Sequence, residues 1–166
     1  MKPSFLVGLL ALLAVPMVQA SVAWKQVGEG IATWMFMDIY QAKLYRPDGV
    51  SKQSALTDNA PLKLELCYYK SITPDIFVQG ANEALPAQLS PALRAEVDRL
   101  HASYEAVKPN DCYTLRYENS VTDLLLNDKR VFQSSLPEFK QVYFGVWLGD
   151  NPLSDKLKAA LLKDTH

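Results

Sequence analysis

Tyr143-Phe144-Gly145-Val146-Trp147-Leu148-Gly149 is the stretch that decides the fold. Seven residues without a charge, three of them large aromatics, do not belong on a solvated surface. They fill the centre of a core or line an apolar pocket. A proline at position 137 opens the segment and predicts a helix from there. A glycine between Phe144 and Val146 costs such a helix about 1 kcal/mol relative to alanine, which predicts that another group approaches the backbone at Gly145.

Working outward, the partner of this helix must be a sheet. Leu62, Leu64, Leu66 and Tyr68 alternate with Lys63, Glu65, Cys67 and Tyr69. This is the pattern of a half-buried strand in an antiparallel sheet. Upstream, Trp34, Phe36, Asp38 and Tyr40 alternate with Met35, Met37 and Ile39, and predict one long strand that continues through Tyr45 and stops at Arg46-Pro47. The Ser-, Asn-, Asp- and Gly-rich residues 48–61 read as the loop between these two strands. Thr73-Pro74 and Ser90-Pro91 each predict a helix start. The second of these helices carries one apolar stripe, Leu93, Val97, Leu100 and Tyr104. Three short strands follow over residues 112–118, 121–126 and 130–134, the last two joined by a tight turn at Asn127-Asp128-Lys129. Two helices close the chain, from Pro137 and from about Asp155. Strands, two helices, strands and two helices make an α+β order, and the hairpin-length connections favour a large antiparallel sheet with helices packed on one face.

The N-terminus bears on compartment. Lys2 precedes an almost wholly apolar run from Phe5 to Val18, and Val18-Gln19-Ala20 offers small or aliphatic residues at a cleavage site. At about 14 residues the run is shorter than the ~20 a membrane span needs. It predicts a signal peptide over residues 1–20, with a second possible cut after Ala23. The mature chain, 21–166, is then one periplasmic or secreted domain with no membrane span. Loss of Lys2 leaves 16 basic and 18 acidic side chains. That balance, with no basic run interleaved with aromatics, argues against nucleic acid as a partner.

Few residues suggest chemistry. His101 and His166 are far apart and predict no metal site, and no phosphate loop, dinucleotide fingerprint or nucleophile elbow is present, so no cofactor is expected. Asp38, placed by alternation with Trp34, Phe36 and Tyr40, is the candidate acid, since a carboxylate isolated among aromatics is suited to proton transfer. The competing reading is an aspartate wetted by solvent or bonded to a tyrosine hydroxyl. Cys67 and Cys112 are an even pair on the polar faces of their strands, and form a disulfide if those strands are neighbours. The alternative is two unpaired thiols, because bridges between adjacent strands demand a specific geometry.

Three segments together resemble the bacterial secreted branch of the chalcone isomerase-like family. They are the strand with Phe36, Ile39, Tyr40, Ala42, Leu44 and Tyr45; the Pro61-Leu62-Lys63-Leu64-Glu65-Leu66 strand with Tyr68 and Lys70; and Phe144-Gly145-Val146-Trp147-Leu148-Gly149. The resemblance implies an open-faced β-sandwich with a ligand cleft between sheet and helices. It also implies the residues an isomerase would need, and two are replaced. Met37 stands where the family's threonine is expected, and Gly28-Glu29-Gly30 offers an acid where the arginine belongs. Relatives that bind fatty acids without catalysis share the fold. The expectation is therefore a binding protein for a small, largely apolar or amphipathic molecule such as a fatty or aromatic acid. Tyr40, Tyr45, Tyr68, Lys70 and Trp147 would line the cleft, with Lys70 as counter-charge to an acid headgroup. The alternatives are an isomerase or intramolecular lyase of unknown substrate, and a module that binds a partner through the open sheet face. Lys63, Glu65, Thr114 and Arg116 on that face weigh against the last.

Overall fold

The computed structural model describes residues 20–51, 55–57 and 59–163. The signal peptide read over residues 1–20 and the terminal His166 therefore lie, but for Ala20, outside the described residues. Six strands form one antiparallel sheet in chain order: β1 (Lys25–Trp34), β2 (Met37–Arg46), β3 (Leu62–Tyr68), β4 (Cys112–Glu118), β5 (Val121–Leu126) and β6 (Lys129–Ser134). Helices α1 (Pro74–Ala84) and α2 (Pro91–Ala102) leave the sheet after β3 and return to β4, and α3 (Phe139–Leu148) and α4 (Asp155–Leu162) follow β6. The core lies between one sheet face and the helices, where Leu62, Leu64, Leu115, Val97, Phe139, Tyr143 and Phe144 are wholly or almost wholly buried. The fold is the α+β, open-faced arrangement the alternation predicts.

The predicted long strand from Trp34 to Tyr45 is corrected. Met35 and Phe36 both take left-handed backbone angles, φ 47° and 64°, and form a two-residue hairpin turn. What reads as one strand is the end of β1, a turn and β2. β1 carries little strand signal because its inward residues are Gly28, Gly30 and Ala32, which pair with Leu44, Ala42 and Tyr40. A Cβ on Gly30 would lie 2.8 Å from Leu157 Cδ1 and 2.9 Å from the Ala160 Cβ, and one on Gly28 would overlap the Leu161 backbone. The glycines let α4 lie directly on the strand. At Gly145 the expectation fails, since an added Cβ meets nothing within 4 Å. The close approach in this segment is at Gly149, whose Cβ would be 2.6 Å from the Gly145 carbonyl oxygen.

The helix starts agree with the sequence only in part. Ser90 Oγ accepts from the Leu93 N–H at 3.3 Å, and Ser154 Oγ from the Leu157 N–H at 3.1 Å. Thr73 occupies the N-cap of α1 without a side-chain capping bond. α3 begins at Phe139, two residues beyond Pro137. It is buried nearly all round, including Lys140, whose Nζ donates to the Ala60 carbonyl at 2.8 Å.

Candidate functional site

Cys67 and Cys112 face each other across β3 and β4 and are joined as a disulfide, with their Cα atoms 4.1 Å apart. Cys67 is the next-to-last residue of β3 and Cys112 the first of β4. The bond therefore closes the neck of the α1–α2 excursion. The bridge between Ile72 and Val107 draws the two sides together again just above it.

Under this excursion lies a cavity of about 170 Å³. Its sheet side is formed by Tyr40 of β2, Leu66 and Tyr68 of β3, and Tyr113 and Leu115 of β4. α1 contributes Phe77, Gly80 and Ala81, and α3 contributes Val146 and Trp147. Alternation along β3 and β4 puts Tyr68 and Tyr113 inward because the cysteines and charges point outward. A tyrosine cluster results. Tyr68 lies 5.4 Å from both Tyr40 and Phe77, centroid to centroid, and Phe77 stacks on Tyr104 at 5.0 Å.

The cavity's polar atoms are almost all phenolic, and most are paired. The Trp147 indole N–H donates to Tyr40 Oη at 3.0 Å. Tyr104 and Tyr143 share a hydrogen bond of 2.6 Å, and Tyr113 donates to the Glu105 carbonyl at 3.0 Å. The Tyr40 hydroxyl, which accepts from Trp147, keeps its own proton to donate. No side-chain hydrogen bond acts on the Tyr68 phenol, and its Oη is not among the buried polar atoms left without a partner. Burial pushes the Tyr68 and Tyr143 phenols well above their ordinary range, and raises Tyr40 and Tyr104 as well. These groups are neutral donors at any physiological pH rather than bases. Two O–H donors, on Tyr40 and Tyr68, are therefore available to an acceptor held in an otherwise apolar space. Among the described lining residues none carries a charge. A second cavity of about 270 Å³ lies beyond the far end of β2, but Arg46, Asp150 and Lys158 line it.

Of the residues expected in the cleft, Tyr40, Tyr68 and Trp147 come together. Tyr45 does not. It lies five residues along β2 from Tyr40, hence on the opposite face, where Lys63 Nζ sits 4.3 Å above its ring. Lys70 is exposed beyond the end of β3 and outside the lining. Asp38 is likewise exposed. The register skips from Ala32–Tyr40 to Thr33–Asp38, so Ile39 bulges and the alternation that grouped Asp38 with Tyr40 breaks there. Ile39 lines the cavity instead. Met37 stands at the hairpin end, and Glu29 pairs with Lys43 on the open face, where it accepts from Gln26 Nε2 at 3.2 Å. His101 sits behind the cluster, with its ring 6.1 Å from Tyr104 and 6.0 Å from Tyr143. Sequence reasoning missed Phe77, Tyr104 and Tyr113. Tyr113 was open to the alternation that placed Cys112, Thr114 and Arg116 outside, whereas Phe77 needed the position of α1.

The geometry defines an open-faced sheet with a small aromatic cavity roofed by helices. The chain belongs to the chalcone isomerase-like family, whose sequence profile matches residues 20–163. The fold is also similar to that of a fatty-acid binding protein of Arabidopsis thaliana, with a TM-score of 0.64 at 9% identity over 86% of this chain and 88% of that one. No curated protein matches the sequence at a significant level.

Proposed function

We propose that the protein is an exported, non-catalytic binding protein for a small, largely apolar molecule that carries a hydrogen-bond acceptor. The observation that carries this reading is the Tyr68 hydroxyl, on which no side-chain hydrogen bond acts, beside the free O–H of Tyr40 in an apolar cavity. The Tyr68 hydroxyl is not among the sealed polar atoms left without a partner, so a ligand carbonyl would take its hydrogen bond in place of water. The volume sets the scale. A cavity of roughly 150 Å³ takes up benzene, so about 170 Å³ suits one aromatic ring or a short acyl chain. The fatty-acid binding neighbour is consistent with an apolar ligand, and a longer chain would extend through the side where Ile76 and Leu153 are both cavity-lining and exposed. With no cation in the lining, an acid would keep its headgroup outside, where the exposed Lys70, two residues from the lining Ile72, is the candidate counter-charge. Export, and a place in the family's bacterial secreted branch, rest on the signal-like residues 1–20 and the cysteine pair.

The test is a titration with acetophenone and with octanoate, read by the fluorescence of Trp147. Both should give saturable changes. Ala81→Leu, which fills the cavity from a buried lining position, should abolish them. Tyr68→Phe should weaken acetophenone about threefold to tenfold, from the loss of one hydrogen bond of about 1 kcal/mol. Lys70→Ala should weaken octanoate alone, and Lys63→Ala on the open face neither. Absence of a saturable change with both ligands would reduce the cavity to a packing void.

A further inference from the structure

Among the described residues eight large apolar side chains are exposed, and all lie on the β1–β2 hairpin or beside the cavity. Five belong to the β1–β2 hairpin: Ile31, Trp34, Met35, Phe36 and Met37. Phe36 is fully exposed at 105%, Met35 at 69% and Trp34 at 65%. The other three flank the cavity. Ile76 and Leu153 line it while remaining 51% and 37% exposed, and the Tyr69 backbone N–H donates at 2.9 Å to the carbonyl of Ile39, itself a lining residue. Trp34 pairs with Met37, and by alternation from the inward pair Ala32–Tyr40 that pair lies on the cavity side of the sheet.

The turn chemistry says that folding did not require these residues. Three hairpins in this sheet turn on two left-handed residues. Two use Asn119-Ser120 and Asn127-Asp128, polar pairs suited to a turn, of which asparagine and aspartate best tolerate the left-handed region. The third uses Met35-Phe36, bulky side chains that pay strain there and gain no burial.

We propose that this hairpin tip docks on a lipid bilayer, setting the adjoining cavity mouth against the acyl phase. The coupling to the cavity rests on the ligand-binding reading above; the docking does not. The tip is a two-residue turn at the end of an edge hairpin, whereas a protein partner of standard size needs about 800 Å² of complementary surface on each side. A protein seated over this end would also seal the mouth. The order of side chains matches a bilayer in depth. Phe36 and Met35 stand outermost at the turn, and the amphipathic rings of Trp34 and Tyr69 lie behind them, where a headgroup layer would meet them. Asp38, Lys70 and Asp75, the exposed charges next to the tip, Tyr69 and Ile76, carry no net positive charge and give no preference for anionic lipid.

The test uses flotation with vesicles of phosphatidylcholine alone and of phosphatidylcholine with phosphatidylglycerol, and tryptophan quenching by brominated phosphatidylcholine. Every protein compared starts at Ser21, so the apolar residues 5–18 are absent from the assay. Wild type should bind both vesicles with affinities within about threefold of each other. The double variant Met35→Asn with Phe36→Gly, a pair preferred in such turns, should keep or raise the thermal midpoint and lose at least tenfold in binding. In Trp34→Phe the quenching should fall while flotation persists. Equal binding by wild type and the double variant would overturn the proposal, as would binding confined to anionic vesicles. A wild-type dimer that the double variant dissociates would overturn it too, by naming a second copy as occupant. Vesicle binding without a saturable acetophenone titration would remove the coupling to the cavity and leave the docking surface standing.

Discussion

Alanine placed at three glycines should give three different outcomes, each set by what the new methyl group meets. At Gly28 the Cβ overlaps the Leu161 backbone, which cannot rotate away, so α4 must lift from β1. The cost has a ceiling, because α4 can detach. Its main contribution is the burial of Leu157 and Leu161, 3% and 0% exposed, at about 1.5–3 kcal/mol each. Alanine recovers about 0.5–1 kcal/mol of strand preference. Gly28→Ala should therefore destabilise by about 2–5 kcal/mol. At Gly30 the methyl meets side-chain atoms, the tip of Leu157 and the Ala160 Cβ, at 2.8 and 2.9 Å. A rotamer change relieves part of that, and about 1 kcal/mol should be lost. At Gly145 nothing lies within 4 Å, and Gly145→Ala should stabilise α3 by up to about 1 kcal/mol. Urea unfolding followed by circular dichroism measures all three, and hydrogen exchange in α4 reports its lifting in Gly28→Ala. A Gly28→Ala protein within about 0.5 kcal/mol of wild type, with α4 still protected, would refute the packing reasoning. So would a Gly145→Ala protein less stable than Gly30→Ala.

Replacing Cys67 and Cys112 together by serine should cost up to about 4 kcal/mol, the chain-entropy value for a link across 45 residues. It should show as a lower urea midpoint, while thiol titration of unreduced wild type finds none. Stability should also depend on His101. Burial lowers its imidazole below the ordinary 6.5, so the unfolded chain binds the proton more readily. The full contribution is present above about pH 6.5 and is lost as pH falls from there through the lower folded value. His101→Gln should flatten that part of the stability profile, and an unchanged slope would assign it to other groups.

The sequence carried most of the sheet and less of the site. Strands β3 and β4 were legible because large inward residues alternate with polar ones, and β5 and β6 because Asn127-Asp128 announced the turn between them. β1 was not, because its inward residues are glycines whose purpose is the approach of α4, a helix more than a hundred residues away in the chain. The Met35-Phe36 turn was invisible for the opposite reason. Its residues have strand-like bulk, and only the backbone reveals the left-handed turn. One bulge at Ile39 then moved Asp38 to the other face, since a single extra residue reverses every later parity. Tyr45 needed no structure to exclude it. Five residues from Tyr40 is an odd number, and an unbulged strand puts the two on opposite faces. Lys70 lies past the strand end, where alternation has nothing to say.

The bond between Cys67 and Cys112 also changes what the chain is as a physical thread. The sheet's meander runs past the neck without interruption, so the residues between the two cysteines form a closed ring hung from the thread. A protease that cuts once within α1, α2 or their connections opens the ring but leaves a single covalent molecule. Its two pieces part on a gel only after reduction. Pulled from its two ends, the oxidised chain would yield its flanks while the ring stayed closed, and it would stretch about 150 Å less than the reduced one, given 45 residues of separation. The α1 side of the cavity roof would thus stay folded back in the ring, while α3, outside it, would be drawn out under tension between the termini.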